Sequence, residues 1–340
     1  MTLASRQISL AHLSAVELSP PEMIRLAARV GYDAVGLRLI RVTPDTPGYP
    51  LMQDSALLAA TLAALAETGL RVQDVEFVRI NPDFDLAALG PFLETAARLG
   101  AKQVICAPYD PDLGRLAQNL GQMAEACHDH GLQAVLEFFP WTPVPDLASA
   151  LQVAEAAGPQ LGLLVDTLHF NRSQSRIEDL ARALPRMPFV HLCDAPVQAS
   201  YTTEELFFAG RVERLPAGEG QIPLAPILRA LPGDMPLGIE VPMTALTRAE
   251  GVEVAVRRAL EMGLRFAGFN RRMHNKAWIA DGRVAVVGGR NIGVEYFSAA
   301  EEFNFHDLDI VLFGPAVAQA SEDQLTARIA LLQRWFIGRK

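Results

Sequence analysis

The 340-residue sequence predicts an α/β fold, a closed (β/α)8 barrel over residues 1–263 followed by a small α+β appendage over 264–340. Three observations carry that expectation. Eight short β-rich runs alternate with eight Ala- and Leu-rich runs of helical spacing, the count that closes a parallel barrel. Glycines follow the helical runs at Gly31, Gly69, Gly100, Gly131, Gly158 and Gly263, where a left-handed residue turns the chain into the next strand. The segment HLSAVELSP after the first strand lacks the phosphate-binding glycine loop that an open doubly wound sheet would carry.

The strands are read in order over 8–13, 34–40, 71–80, 102–108, 133–139, 161–166, 188–194 and 236–241. Most are short apolar runs such as KQVICAP, LGLLVD and PLGIEV, as expected of strands covered on both faces. The helices between and after them are read over 20–30, 54–68, 86–99, 112–130, 146–157, 175–184, 222–231 and 248–261. The first opens on SPPEM, with proline at the first helical positions. After Gly263 the rhythm changes. RMHNKAWIADGRVAVVGG alternates apolar and polar residues about Asp281-Gly282, the pattern of a hairpin with a tight turn. DLDIVLFG at 307–314 reads as another strand, and 316–338 as one closing helix.

Composition narrows the function classes. With 39 acidic against 30 basic residues and a net charge of -9, the chain has no general attraction for nucleic acid or anionic membranes. Cys106, Cys127 and Cys193 lie in or near apolar segments and read as buried thiols of a reducing compartment. No leader and no membrane span is read, so the expected location is cytoplasmic.

Four strand ends carry polar residues where packing alone favours Val or Ile. They are Glu137 in AVLEFFP, Asp166 in LLVDTLHF, His191 in FVHLCD and Glu240 in LGIEVP. The C-terminal ends of barrel strands converge on one bowl, so residues far apart in sequence can meet there. Burying three carboxylates together is costly without a cation. Two Glu, one Asp and one His form an oxygen-rich site suited to one divalent metal ion, Mn, Mg or Co, with Zn possible. Around the same mouth, Arg38, Arg41, Glu76 and Arg79 are candidates either for holding polyol or carboxylate groups or for ion pairs among themselves. His12 and Asp194 are expected behind the site, Trp141 as a pocket wall or loop anchor, and Arg211 and Arg214 in a long excursion that closes over a substrate.

With DTLHF supplying a D-x-x-H and LPAGEGQIPL a G-E-G-x-I, residues 1–263 resemble the xylose isomerase-like barrel superfamily of sugar isomerases, ketose 3-epimerases and inosose dehydratases. The resemblance implies Glu137, Asp166, His191 and Glu240 as ligands of one divalent metal and His169 as a substrate contact. It implies isomerisation or epimerisation of a sugar or polyol ketone through an enediolate, Glu137 and Glu240 sharing the acid/base work. Loss of a β-hydroxyl after the same first step gives the alternative, a dehydratase or lyase acting on an inosose or dehydroshikimate. No glycine-rich phosphate cradle stands near the eighth strand, which favours an unphosphorylated substrate.

The appendage carries a second signature. His274, Lys276 and Asp281, with Gly288, Gly289 and Asn291 behind them, resemble the HKD motif of the phospholipase D and cardiolipin synthase superfamily. In that family the histidine attacks phosphorus and the lysine stabilises the phosphoryl oxygens. The family builds its site from two such motifs and this chain has one, so phosphodiester transfer here implies a homodimer with two His274 side chains facing each other. Val294 replaces an acidic residue common in that family.

Overall fold

The computed structural model describes residues 6–42 and 47–267, together with the backbone of three strands beyond them, 276–280, 284–288 and 309–313. The chain divides into two compact units, Met1–Asn270 and Arg271–Lys340.

In the first unit eight parallel strands close into a barrel, β8 pairing back onto β1. They are β1 (Ile8–Leu10), β2 (Ala34–Arg38), β3 (Arg71–Ile80), β4 (Gln103–Pro108), β5 (Gln133–Glu137), β6 (Gly162–Asp166), β7 (Val190–Leu192) and β8 (Leu237–Ile239). The helices are α1 (Pro20–Val30), α2 (Ser55–Thr68), α3 (Gly90–Arg98), α4 (Leu113–Asp129), α5 (Leu147–Ala157), α6 (Thr167–Arg172), α7 (Ile177–Ala183), α8 (Thr203–Arg211), α9 (Leu224–Ala230), α10 (Thr244–Glu250) and α11 (Val252–Ala267). Local signals explain where they start and stop. Ser19 and Glu22 form a reciprocal capping box at the head of α1, and Gly31 ends that helix at φ 108°.

Strand alternation builds the floor of the site. Ala134 and Leu136 of β5 join the large core beneath the helices, whereas Val135 packs with Ile105, Leu164 and Phe189 in a separate apolar cluster. That cluster fills the barrel axis. One alternation step further along each strand, in the same phase, stand Glu137, Asp166 and His191. Under the apolar layer, Gln7 donates to Gln73 at 2.6 Å and Gln73 to Gln103 at 2.7 Å, which satisfies amides that would otherwise be stranded inside the barrel.

The structure departs from the expected elements in four places. The first strand ends at Leu10, and His12–Ala15 form a 3-10 turn. Two helices, α6 and α8, lie in stretches read as loop. The last expected helix is two, α10 and α11, broken at Gly251. Gly263 sits inside α11 and ends nothing; a Cβ there would stand 2.6 Å from Ile239 Cδ1, so its role is close packing of α11 on β8.

In the second unit β9 (Lys276–Ala280), β10 (Val284–Gly288) and β11 (Asp309–Phe313) form an antiparallel sheet in the order β11-β10-β9. β9 and β10 pair antiparallel with Ala280 opposite Val284, and the turn read at Asp281-Gly282 lies outside the described residues. Among the described residues no helix is long and apolar enough to cross a membrane.

Candidate metal centre

Glu137 ends β5, Asp166 ends β6, His191 is the middle residue of β7, and Glu240 follows β8 directly. The fold brings all four together: one donor atom from each lies within 4.8 Å of the others, and all four residues are buried.

A fifth group is built into the cluster. The Arg214 guanidinium, 1% exposed, donates from Nη1 to Asp166 Oδ2 at 2.7 Å and stands 2.9 Å from Glu240 Oε2. Its other donors are spent on the main chain, Nε on Ala209 at 3.1 Å and Nη2 on Gly210 at 3.0 Å. Arg214 therefore lies within the acidic cluster, which corrects the expectation that it closes over a substrate from outside.

Each titratable group responds to this setting. Burial disfavours the Asp166 carboxylate, but Arg214 beside it outweighs burial and holds it below the usual carboxylate range. Burial, reinforced by the charge of Glu240, pushes Glu137 well above that range. Burial alone would keep the His191 ring neutral; Glu240, then Glu137 and Asp74, instead raise it to about 10. With all three carboxylates ionised, they and the one guanidinium leave two negative charges to balance. Both ring nitrogens of His191 lack a hydrogen-bond partner. A buried, doubly negative set of three carboxylates and one unengaged imidazole fits a divalent cation.

Comparison with known proteins places the barrel. The family model described as xylose isomerase-like TIM barrel matches residues 24–262. The chain belongs to that family. A solved structure of the IOLI protein with a zinc atom is similar to this barrel at a TM-score of 0.64 and 18% identity, over 78% of this chain and 100% of that one. D-allulose 3-epimerase from Methylomonas sp. is similar at 0.57 and 17%, over 78% and 99%. The probable 3-DHS dehydratase AsbF from Bacillus anthracis is similar at 0.59 and 14%, over 76% and 98%. Separately, 58 residues of the chain are 53% identical to cardiolipin synthase C of Escherichia coli (strain K12), spanning 17% of this chain and only 12% of that protein.

In this xylose isomerase-like barrel an aromatic wall flanks one side of the cluster. His169, on α6, places Nε2 4.0 Å from Glu137 Oε1 and packs edge-on against Phe139 and Trp141 at 4.8 and 5.2 Å. Burial keeps the His169 ring neutral, pushing it down to about 3, and Nδ1 is without a partner. Trp141 continues the wall to Phe207 on α8 at 5.2 Å, and Arg211 stacks over Phe207 at 4.3 Å.

The other expected mouth residues divide into pairs and supports. Arg38 and Glu76 are buried and paired with each other at 3.2 Å. Arg79 is exposed and lies over the Tyr109 ring at 5.0 Å, and Arg41 is exposed. Asp194 holds the 216–222 loop, accepting from Ala195 N, Ile222 N and Gly218 N at 2.8 to 2.9 Å. Asp74 is buried near the cluster and was not singled out by the sequence. His274, Asp281, Gly289, Asn291 and Val294 lie outside the described residues, while Lys276 and Gly288 supply backbone to β9 and β10.

His12 gives the barrel a pH-dependent element. Its Nε2 meets Leu18 O at 2.9 Å and its Nδ1 accepts from Arg38 N at 2.7 Å, so the neutral ring satisfies both partners. Burial lowers its pKa from 6.5 to about 4. Above the unfolded value both states are neutral and His12 adds no pH dependence. As pH falls toward 4 the unfolded chain takes the proton first, and about 3 kcal/mol of stability is lost. Urea unfolding at pH about 7.5 and about 5 should show about 2 kcal/mol of that loss in the native chain and a shallower one in His12→Gln.

Proposed function

We propose that the chain is a divalent-metal-dependent isomerase or epimerase of a sugar or polyol ketone. The observation that carries this reading is the convergence of Glu137, Asp166, His191 and Glu240 within 4.8 Å at the C-terminal mouth of the barrel. Support comes from the family and from fold neighbours that include a zinc-binding protein, an epimerase and a probable dehydratase.

The same four residues would hold the ion, whose chemistry is Lewis acidity toward the adjacent carbonyl and hydroxyl oxygens of the ketone. Glu137 and Glu240 stand three strands apart around the barrel and address the carbon next to the carbonyl from different sides. One removes its proton and the other returns a proton, which inverts the centre or moves the carbonyl. His169 offers Nδ1–H to a substrate oxygen, and Phe139 and Trp141 pack against the carbon face of the substrate and keep water out. Where a β-hydroxyl leaves after the first proton transfer, the outcome is dehydration.

The test is proton exchange, which precedes every one of these outcomes. The full chain, reconstituted with Mn2+ or Co2+, is incubated in D2O with a panel of ketoses and inososes. The reading requires deuterium to enter beside the carbonyl of at least one substrate and this exchange to stop on adding EDTA. Metal-loaded protein that exchanges no proton anywhere in the panel counts against it.

A further inference from the structure

Two buried charged residues inside the barrel have no part in the roles described so far. Arg38 is the last residue of β2, and Glu76 on β3 is its register partner. Each is 5% exposed. Strand phase turns both inward. Val35, Leu37 and Leu39 belong to the core beneath the helices, so Arg38, between the last two, takes the opposite face. Glu76 follows Val75 of that same core, and its neighbour Phe77 packs on the apolar cluster of the barrel axis.

Their level is that of the acidic cluster. Arg38 ends β2 as Glu137 ends β5 and Asp166 ends β6. In the closed ring of eight strands, β2 lies across from β6 and β3 across from β7. The pair therefore occupies the wall of the mouth opposite Asp166 and His191.

The pair is not closed on itself. A guanidinium and a carboxylate can share two parallel hydrogen bonds. Here Arg38 Nη2 donates to Glu76 Oε2 at 3.2 Å, while Arg38 Nε and Glu76 Oε1 are buried without a partner in the protein. Leaving a donor and an acceptor in this state is costly, so a partner is to be sought in what enters the mouth. The main chain beneath is held in place, because Arg38 N donates to His12 Nδ1 at 2.7 Å and the His12 ring stacks on Tyr49.

The chemistry of that partner follows from the two atoms. It accepts from an N–H and donates to a carboxylate oxygen, which a hydroxyl does with a single oxygen atom. An ionised carboxylate or phosphate ester only accepts, and it would bring its charge against Glu76. The positive charge of Arg38 is already answered by Glu76 and offers such an anion no net attraction.

We propose that Arg38 and Glu76 form a subsite for a neutral hydroxyl at the end of the substrate remote from the ketone, Nε–H donating to the hydroxyl oxygen and the hydroxyl donating to Oε1. The inference rests on the sugar or polyol ketone reading and deepens it. The substrate spans the mouth from the acidic cluster to this pair, and its far end carries a free hydroxyl in place of a phosphate.

The experiment follows deuterium entry in the full chain loaded with Mn2+ and in Glu76→Gln and Arg38→Lys. Its probes are D-fructose, D-tagatose and D-sorbose, with dihydroxyacetone as a ketone that has no hydroxyl to reach the pair. Arg38→Lys keeps the charge opposite Glu76 and removes Nε–H. For the ketohexose that exchanges fastest, kcat/KM should fall by about 10–100-fold in both variants, the loss of a hydrogen bond to a charged group. Exchange into dihydroxyacetone should stay at the native rate. Glu76→Gln leaves Arg38 an unanswered cation, so D-fructose 6-phosphate should bind it at least about 10-fold tighter than the native chain by calorimetry. Selective 15N labelling of arginine reads the pair without turnover: a ketohexose should shift the Nε–H resonance that Arg38→Lys removes, and dihydroxyacetone should not. Should Glu76→Gln fail to fold, Arg38→Lys, which keeps the ion pair, carries the comparison.

Equal losses for dihydroxyacetone and the ketohexose, or an Arg38 resonance that none of the three sugars moves, would overturn the inference while leaving the metal site standing. A native chain that exchanges no deuterium would instead count against the reaction, and the arginine resonance would then decide whether the pair holds a hydroxyl.

Discussion

Glu240→Gln lowers kcat for proton exchange by at least about 10³-fold, at the upper end of what a positioned acid or base contributes. The substitution keeps the shape of the side chain and removes its charge and proton affinity. It also takes one anion from the cluster, so metal binding weakens as well, and the two effects must be separated. At saturating Mn2+ the binding defect is overcome and the exchange defect remains. Glu137→Gln behaves in the same way, because the amide can neither take up nor return the proton. The double variant is little worse than either single one, since two groups passing one proton across a carbon act as a unit. Rates of deuterium entry at several metal concentrations check all three. A Glu240→Gln enzyme that recovers native exchange once metal is saturating would reduce Glu240 to a ligand.

Arg214→Met has the second large effect, and it falls on stability. The guanidinium is buried, reaches Asp166 Oδ2 at 2.7 Å and Glu240 Oε2 at 2.9 Å, and ties down the carbonyls of Ala209 and Gly210. Methionine fills much of the volume and leaves two buried carboxylates without their cation. Breaking a buried pair in this way costs about 3–5 kcal/mol, which lowers the melting temperature by on the order of 10 °C. A divalent ion supplies the missing positive charge, so added Mn2+ should raise the melting temperature of Arg214→Met by more than that of the native chain. Thermal unfolding with and without metal tests this. Equal metal-induced shifts in the two proteins would mean that Arg214 and the ion do not share the same carboxylates.

Much of the barrel was legible because its signals are local. Short apolar runs alternate with helical ones, and Gly31, Gly69, Gly100, Gly131 and Gly158 all take positive φ at helix ends. Glu137, Asp166, His191 and Glu240 were legible because a charged or imidazole side chain interrupts an apolar strand at its mouth end. Asp74 was hidden for the opposite reason. In RVQDVEFVRI it alternates with apolar residues as an exposed acid would, and only the closed barrel turns that face inward. A register shift between Val75 and Val78 further blurs the phase of β3. The place of Arg214 follows from bridges between distant residues, Asp194 with Leu215 and Glu213 with Met243, which no local pattern encodes. Helices α6 and α8 were missed because six and nine residues are too few for a helical period to stand out from loop sequence. At Gly263 the misreading came from treating a packing glycine as a stop signal.

Divalent metal per chain, measured by elemental mass spectrometry on the purified full-length protein after reconstitution and desalting, tests the central claim most directly. The account predicts about one Mn, Mg, Co or Zn per chain, lost in His191→Ala and in Glu137→Ala. A chain that retains no metal after exposure to Mn2+, Co2+ and Zn2+, or one whose metal is untouched by both substitutions, would contradict it.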